Sequence, residues 1–205
     1  MRKVLLTIAV AAILWAVMFT PWTAPHVNFW WAMTASACVL SLMATHFAPG
    51  WWRNVRITPR EVILGVAIAA ALWGVFWVGD KLSQLMFDFA RPQVDTIYGM
   101  KEGESPWLLT ALMLFLIGPA EEIYWRGYVQ KSLSARWNPN IGFAVTTLIY
   151  ALVHASSFNF MLVMAALVAG LVWGLLYRFF PEHFAAIIIS HAVWDVAVFI
   201  WFPIM

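Results

Sequence analysis

Two adjacent glutamates, Glu121 and Glu122, with Arg126 four residues on, stand in a run that is otherwise apolar enough to lie in a membrane. His154, and then His191 with Asp195, stand in two later runs of the same kind. An unpaired charge at the centre of a spanning helix costs about 2.5–3.5 kcal/mol on insertion scales, so ionisable groups kept there need a partner or a task. Glu122 and Arg126 share a helix face, where the guanidinium can neutralise the carboxylate through charge-assisted hydrogen bonds. Glu121 is rotated about 100° from Glu122 and is left to face a cavity. A carboxylate beside an imidazole, away from bulk water, can activate a water molecule, with either group or both in concert as general base. His191 can donate a hydrogen bond to a developing oxyanion. The chemistry that fits is hydrolysis of an amide bond within or beside a membrane.

For these residues to meet, three hydrophobic segments must bring them to one depth. The chain has 205 residues, 63% of them hydrophobic and 11% charged, which excludes an ordinary soluble domain and reads as an integral membrane protein. Runs of about 20 apolar residues predict spans at roughly 4–20, 28–48, 62–78, 106–135, 140–156, 160–178 and 184–202. The runs are continuous rather than alternating, which favours helices over a barrel. The expected fold is therefore an all-α, polytopic bundle of about seven spanning helices. Spans four and five turn near Trp137, Asn138 and Pro139, and Glu121 lies about as far before that turn as His154 lies after it. His191, with Asp195 one turn beyond, can bracket the same level from span seven. Pro119 is expected to kink span four beside the glutamates. The second half of that span, RGYVQKSLSAR, is amphipathic and expected to emerge at the interface.

Arg2, Lys3, Arg53, Arg56, Arg60, Arg126, Lys131, Arg136 and Arg178 fall on one side of these spans, against Lys81, Arg91 and Lys101 on the other. By the positive-inside rule this predicts a cytoplasmic N-terminus. The first span follows Arg2 and Lys3 like a signal peptide, but with no convincing A-x-A site it is expected to stay uncleaved. Residues 79–105 form the long non-cytoplasmic connection, with DKLSQLMFDFA spaced for a short interfacial helix. The division expected is residues 1–105 as N-terminal spans and connection, and 106–205 as the helical core that carries the chemistry, in one integrated domain. Cys38 is the single cysteine, so no intramolecular disulfide forms. No nucleic-acid motif is present.

At its ionisable residues the sequence resembles the CAAX-prenyl endopeptidase and bacteriocin-processing (CPBP, Abi) family of intramembrane proteases. Three of its patterns occur in order on separate spans: Glu121 and Glu122 with Arg126 and Gly127, Tyr150 four residues before His154, and His191 four residues before Asp195. The resemblance implies that Glu121 and His154 activate water, that His191 and residue 195 form the oxyanion site, and that Glu122 and Arg126 are the supporting pair. Tyr150 stands where the family usually has phenylalanine, adding a hydroxyl that needs a partner if buried. Asp195 stands where asparagine is commoner, so it must be protonated or must orient and charge His191. Metal-free catalysis is favoured; if zinc is present, Glu121, His154 and His191 are its ligands. The substrate expected is a membrane-associated protein or peptide, lipidated or C-terminally anchored, cut in a bacterial inner (plasma) membrane. The competing readings are a proton-coupled transporter and a non-catalytic immunity or scaffold protein.

Of the fourteen tryptophans, Trp22, Trp30, Trp31, Trp51, Trp52 and Trp107 are expected in interfacial belts. Gly170 and Gly174 form a small-residue face for close helix packing, with a homo-oligomer as the other use for it. His26, His46 and His183 lie at span ends and receive no role.

Overall fold

The computed structural model describes residues 1–204, with backbone alone at 53 and 54, so the Arg53 side chain lies outside the described residues. The principal helices in chain order are α1 (Arg2–Phe19), α2 (Phe29–Phe47), α3 (Pro59–Met86), α4 (Ala90–Gly99), α5 (Pro106–Arg136), α6 (Pro139–Ser157), α7 (Phe160–Phe179) and α8 (Pro181–Trp201). No strand occurs among the described residues. Six of these helices, α1, α3, α5, α6, α7 and α8, are long and apolar enough to cross a membrane. With its 19 residues α2 is also long enough, though Thr34, Ser36, Ser41, Thr45 and His46 lower its apolarity. Thr34 and Ser36 return their hydroxyls to the carbonyls of Trp30 and Ala32, which hides much of that polarity inside the helix. About seven spanning helices result, with large apolar side chains such as Leu6, Ile13, Ile63, Phe115 and Leu152 facing outward. The chain is an integral membrane protein.

Local chemistry starts the helices where the sequence places polar residues. Asn28, Thr58, Ser105, Asn138 and Asn159 each accept a backbone N–H of the following turn, and Pro59, Pro106 and Pro139 occupy first helical positions, where their missing N–H costs nothing. The connection after span three differs from expectation. DKLSQLM continues α3, because nothing there breaks the helix and Gln84 donates to Asp80 one turn back at 2.6 Å. The short extra helix comes later, as α4. Arg91 pairs with Asp95 at 2.5 Å on this helix, and Arg91 also lies 3.8 Å from Asp80.

The fourth span also departs from its expected shape. Two π turns, Met113–Ile117 and Trp125–Gln130, widen α5 on either side of the glutamates. The first directly precedes Pro119: the Gly118 N–H reaches back five residues to the Met113 carbonyl, widening the turn there. Residues 126–130, the start of the stretch expected at the interface, are buried on every side; exposure begins only at Lys131. Gln130 belongs inside because its amide donates to the Gly174 carbonyl at 2.9 Å.

Close crossings hold the bundle. A Cβ on Gly118 would lie 2.7 Å from the Ala192 Cα, and one on Gly65 would lie 2.9 Å from the Ala186 carbonyl, so α5 and α3 both pack backbone-near on α8. Gly170 faces the Tyr150 ring and Gly174 the Phe143 ring, so this small-residue face is used inside the chain, against α6. Glu61 of α3 ties down the start of α8, accepting from the Ala186 N–H at 3.2 Å and meeting His183 Nδ1 at 2.8 Å. His183 thus has a structural contact that its place at a span end does not announce.

We expect Gly118→Ala to lower stability by about 1–3 kcal/mol through overpacking against backbone that cannot yield. Gly74→Ala, whose new methyl meets nothing within 4 Å, should be neutral or stabilising. Thermal unfolding of both variants in detergent checks the contrast.

Candidate active site

Glu122 is the most deeply placed of the six residues, with 0% exposure, and its Oε1 accepts two hydrogen bonds. One comes from Arg126 Nη1 at 2.8 Å along α5, the other from His191 Nδ1 at 2.7 Å across to α8. The same helix spacing that predicts the Glu122–Arg126 pair therefore leaves the carboxylate reaching a second helix. Arg126 is buried with it and so does not belong to the interfacial cations among which its sequence position places it. Its other Nη donates to the Gly170 carbonyl at 3.3 Å, and the guanidinium lies over the rings of Tyr150 and Trp173 at 4.9 and 5.7 Å. Those aromatic faces supply part of the electrostatic shelter that water would give.

His191 stacks on Trp173 with ring centroids 3.7 Å apart and planes 16° from parallel. Trp173 is fixed by its indole N–H to Ser190 Oγ at 3.0 Å, so the surface under the imidazole is itself anchored to α8. Beyond the ring, Asp195 Oδ2 stands 3.5 Å from Nε2. His191 is thus bracketed by two carboxylates, one on each nitrogen.

Glu121 points away from this pair, and its Oε2 accepts the Tyr150 hydroxyl at 2.9 Å. The hydroxyl that distinguishes Tyr150 from phenylalanine has its partner in Glu121. His154 lies one turn further along α6, where the helix tightens into a 3-10 turn at His154–Ser157. Its Nδ1 is 2.8 Å from the Tyr150 carbonyl, which can only accept, so Nδ1 carries the proton. Nε2 is then the acceptor, and it receives the indole N–H of Trp15 at 3.0 Å. Glu121 is therefore met across α6 by Tyr150, and His154 by α1.

Glu121, Tyr150, His154, His191 and Asp195 line one cavity of about 610 Å³. Glu122 and Arg126 sit behind its wall. The remaining lining is mostly apolar, with Val75 and Phe76 from α3, Ile97 from α4, and Met164 and Val168 from α7. Convergence of spans four, five and seven is as the sequence predicts.

Trp15 and Trp173 are the site residues that sequence reasoning missed. The available signal is position: both lie inside spans and are buried, whereas Trp22, Trp31, Trp52 and Trp107 are exposed near helix ends as a belt requires. Trp30 departs from that belt, being buried with its N–H on the Met100 carbonyl at 2.9 Å.

Among the described residues no three His, Cys, Asp or Glu side chains are arranged to hold a metal ion. In the set Glu121, His154 and His191, both nitrogens of His154 are engaged, while Nδ1 of His191 is held by Glu122 and its Nε2 faces Asp195.

A family model described as "Type II CAAX prenyl endopeptidase Rce1-like" matches residues 103–197. That stretch contains all six residues and agrees with the family resemblance of the three motifs. No curated protein and no solved structure matches the chain.

Glu122→Ala is expected to destabilise the fold by about 3–5 kcal/mol, because it leaves Arg126 buried without its counter-charge. Arg126→Met combined with Glu122→Ala should recover part of that loss. Chemical or thermal unfolding across this double-mutant cycle measures the coupling.

Proposed function

We propose, taking residues 103–197 as an Rce1-like region, that the protein is an intramembrane endopeptidase that hydrolyses a peptide bond of a membrane-associated protein, lipidated or C-terminally anchored. The observation that carries this reading is the joining, in one cavity, of Glu121, His154, His191 and Asp195 with otherwise apolar walls. Such walls suit a hydrophobic substrate segment, and the polar cluster gives hydrolysis its groups. The bias of lysine and arginine supports an N-terminus on the cytoplasmic side of a bacterial inner membrane.

In this mechanism a cavity water lies against Glu121, which takes one of its protons as the oxygen bonds to the substrate carbonyl carbon. Tyr150 donates to Oε2 and so orients the carboxylate for that transfer. His154 shares the water with Glu121 when its Nε2 is free. The oxyanion forms beside His191. As an imidazolium, His191 keeps Nδ1–H on Glu122 and has Nε2–H to offer to the oxyanion, with Asp195 beside it to balance the charge. When the carbon–nitrogen bond breaks, the proton held by Glu121 passes to the leaving nitrogen, and the products are a new carboxyl and a new amine. In this mechanism no step requires a metal.

Substrates can be found by mapping new protein termini in membranes from wild-type and Glu121→Gln strains. With a substrate in hand, Glu121→Gln should lower kcat by about 10²–10⁴-fold while leaving the unfolding temperature in place. Tyr150→Phe should cost about fivefold, the worth of one hydrogen bond. Cleavage should survive chelators; loss on chelation that zinc restores would overturn the metal-free mechanism. Solute flux in proteoliposomes without any cleaved product would replace the protease by a transporter.

A further inference from the structure

Trp15 joins the polar cluster to α1 through a contact that engages a reactive lone pair. A neutral imidazole has one donor nitrogen and one acceptor nitrogen. In His154 the donor, Nδ1–H, is spent on the Tyr150 carbonyl at 2.8 Å, and the acceptor, Nε2, is spent on the Trp15 indole N–H at 3.0 Å. An sp² nitrogen has a single lone pair in the ring plane, so Nε2 cannot accept from Trp15 and from a water together. The contact is a built one. Trp15 is 1% exposed, and its ring meets the His154 ring edge-on at 5.9 Å and the Trp125 ring edge-on at 6.5 Å. One turn along α1, Phe19 also packs on His154 at 5.7 Å and lines the cavity.

We propose that Trp15 is a latch on His154: the structure is a resting state in which the indole masks Nε2, and the histidine becomes available to water or substrate only when the Trp15 contact opens. This rests on the protease reading for its consequence, though the mask itself is a property of the two side chains. The opening is local. Phe19 lines the cavity and packs on His154, so a substrate segment that displaces Phe19 bears on α1 one turn from the indole. The part of the chain outside residues 103–197 then controls the site by supplying the group that covers it.

The test is chemical modification of the imidazole by diethylpyrocarbonate in the full-length protein, read at each histidine by mass spectrometry, with exposed His26 as internal reference. Trp15→Phe keeps an aromatic ring against Trp125 and removes the N–H together with part of the indole's volume. His154 in the wild type should react slowly relative to His26. In Trp15→Phe it should react about tenfold faster, the scale expected when a buried hydrogen bond no longer protects the nitrogen. Equal relative rates in the two proteins, with matching unfolding temperatures, would overturn the latch. If Trp15→Phe unfolds, Trp15→His, which keeps a ring N–H, replaces it as the folded comparison and should hold His154 slow; fast modification there overturns the proposal. With a cleaved substrate, Trp15→Phe should raise turnover, and a fall in turnover without faster modification makes Trp15 a packing residue and sinks the latch. Faster modification with no cleavage by either protein retains the mask and removes the protease reading.

Discussion

The carboxylate of Glu122 is the constraint around which the rest is arranged. A fully buried anion within an apolar bundle loses its hydration, at a cost of several kcal/mol even after relaxation, and only well-placed cations and donors offset it. Arg126 and His191 meet that need on a single oxygen, from α5 and from α8. Once they do, the two helices can sit in one register only. The crossing must be close enough for Glu122 to reach His191, and this is why Gly118 lies against the Ala192 backbone. Arg126 brings further donors that need acceptors, and α7 supplies the Gly170 carbonyl and the Trp173 face.

Backbone irregularity serves the same end. Two π turns flank the glutamates, and the Glu122–Arg126 pair closes across the start of the second. A third π turn, Ala197–Trp201, ends α8 and leaves carbonyls without helical partners. Tyr98 donates to the Val198 carbonyl at 3.0 Å and Lys101 to that of Phe199 at 2.6 Å. The extra helix α4 and the residues after it are thereby tied across the cavity, and Tyr98 also lines it. Two of the three widened turns reach the cavity, through Met113 and Ile117 and through Val198 and Phe199.

The polar groups divide into three neighbourhoods within one cavity. Glu121 and Tyr150 form one, His191 with its two carboxylates a second, and His154 with Trp15 a third. Each has a different helix as its second partner, so relative movement of α1, α6 and α8 changes the chemistry available without changing any residue. The family-matched region, residues 103–197, carries the polar cluster, and the preceding helices supply walls and the indole that covers one imidazole.

Much of this was legible in the order of residues alone. Helix positions follow from runs of apolar residues with polar caps and prolines at their starts, since both signals are local. The convergence of Glu121, His154 and His191 followed from counting rise per residue about a turn, and the Glu122–Arg126 pair from four-residue spacing; both are properties of single helices or adjacent ones. What only the tertiary structure decided is who meets whom across helices: Tyr150 on Glu121, Glu122 on His191, and Trp15 on His154, the last joining residues 139 apart. Burial of residues 126–130, the wide turns beside the glutamates and the shifted extra helix belong to the same class. A pattern along one chain reports which face a side chain takes, but not which neighbour the packing of several helices will set against it.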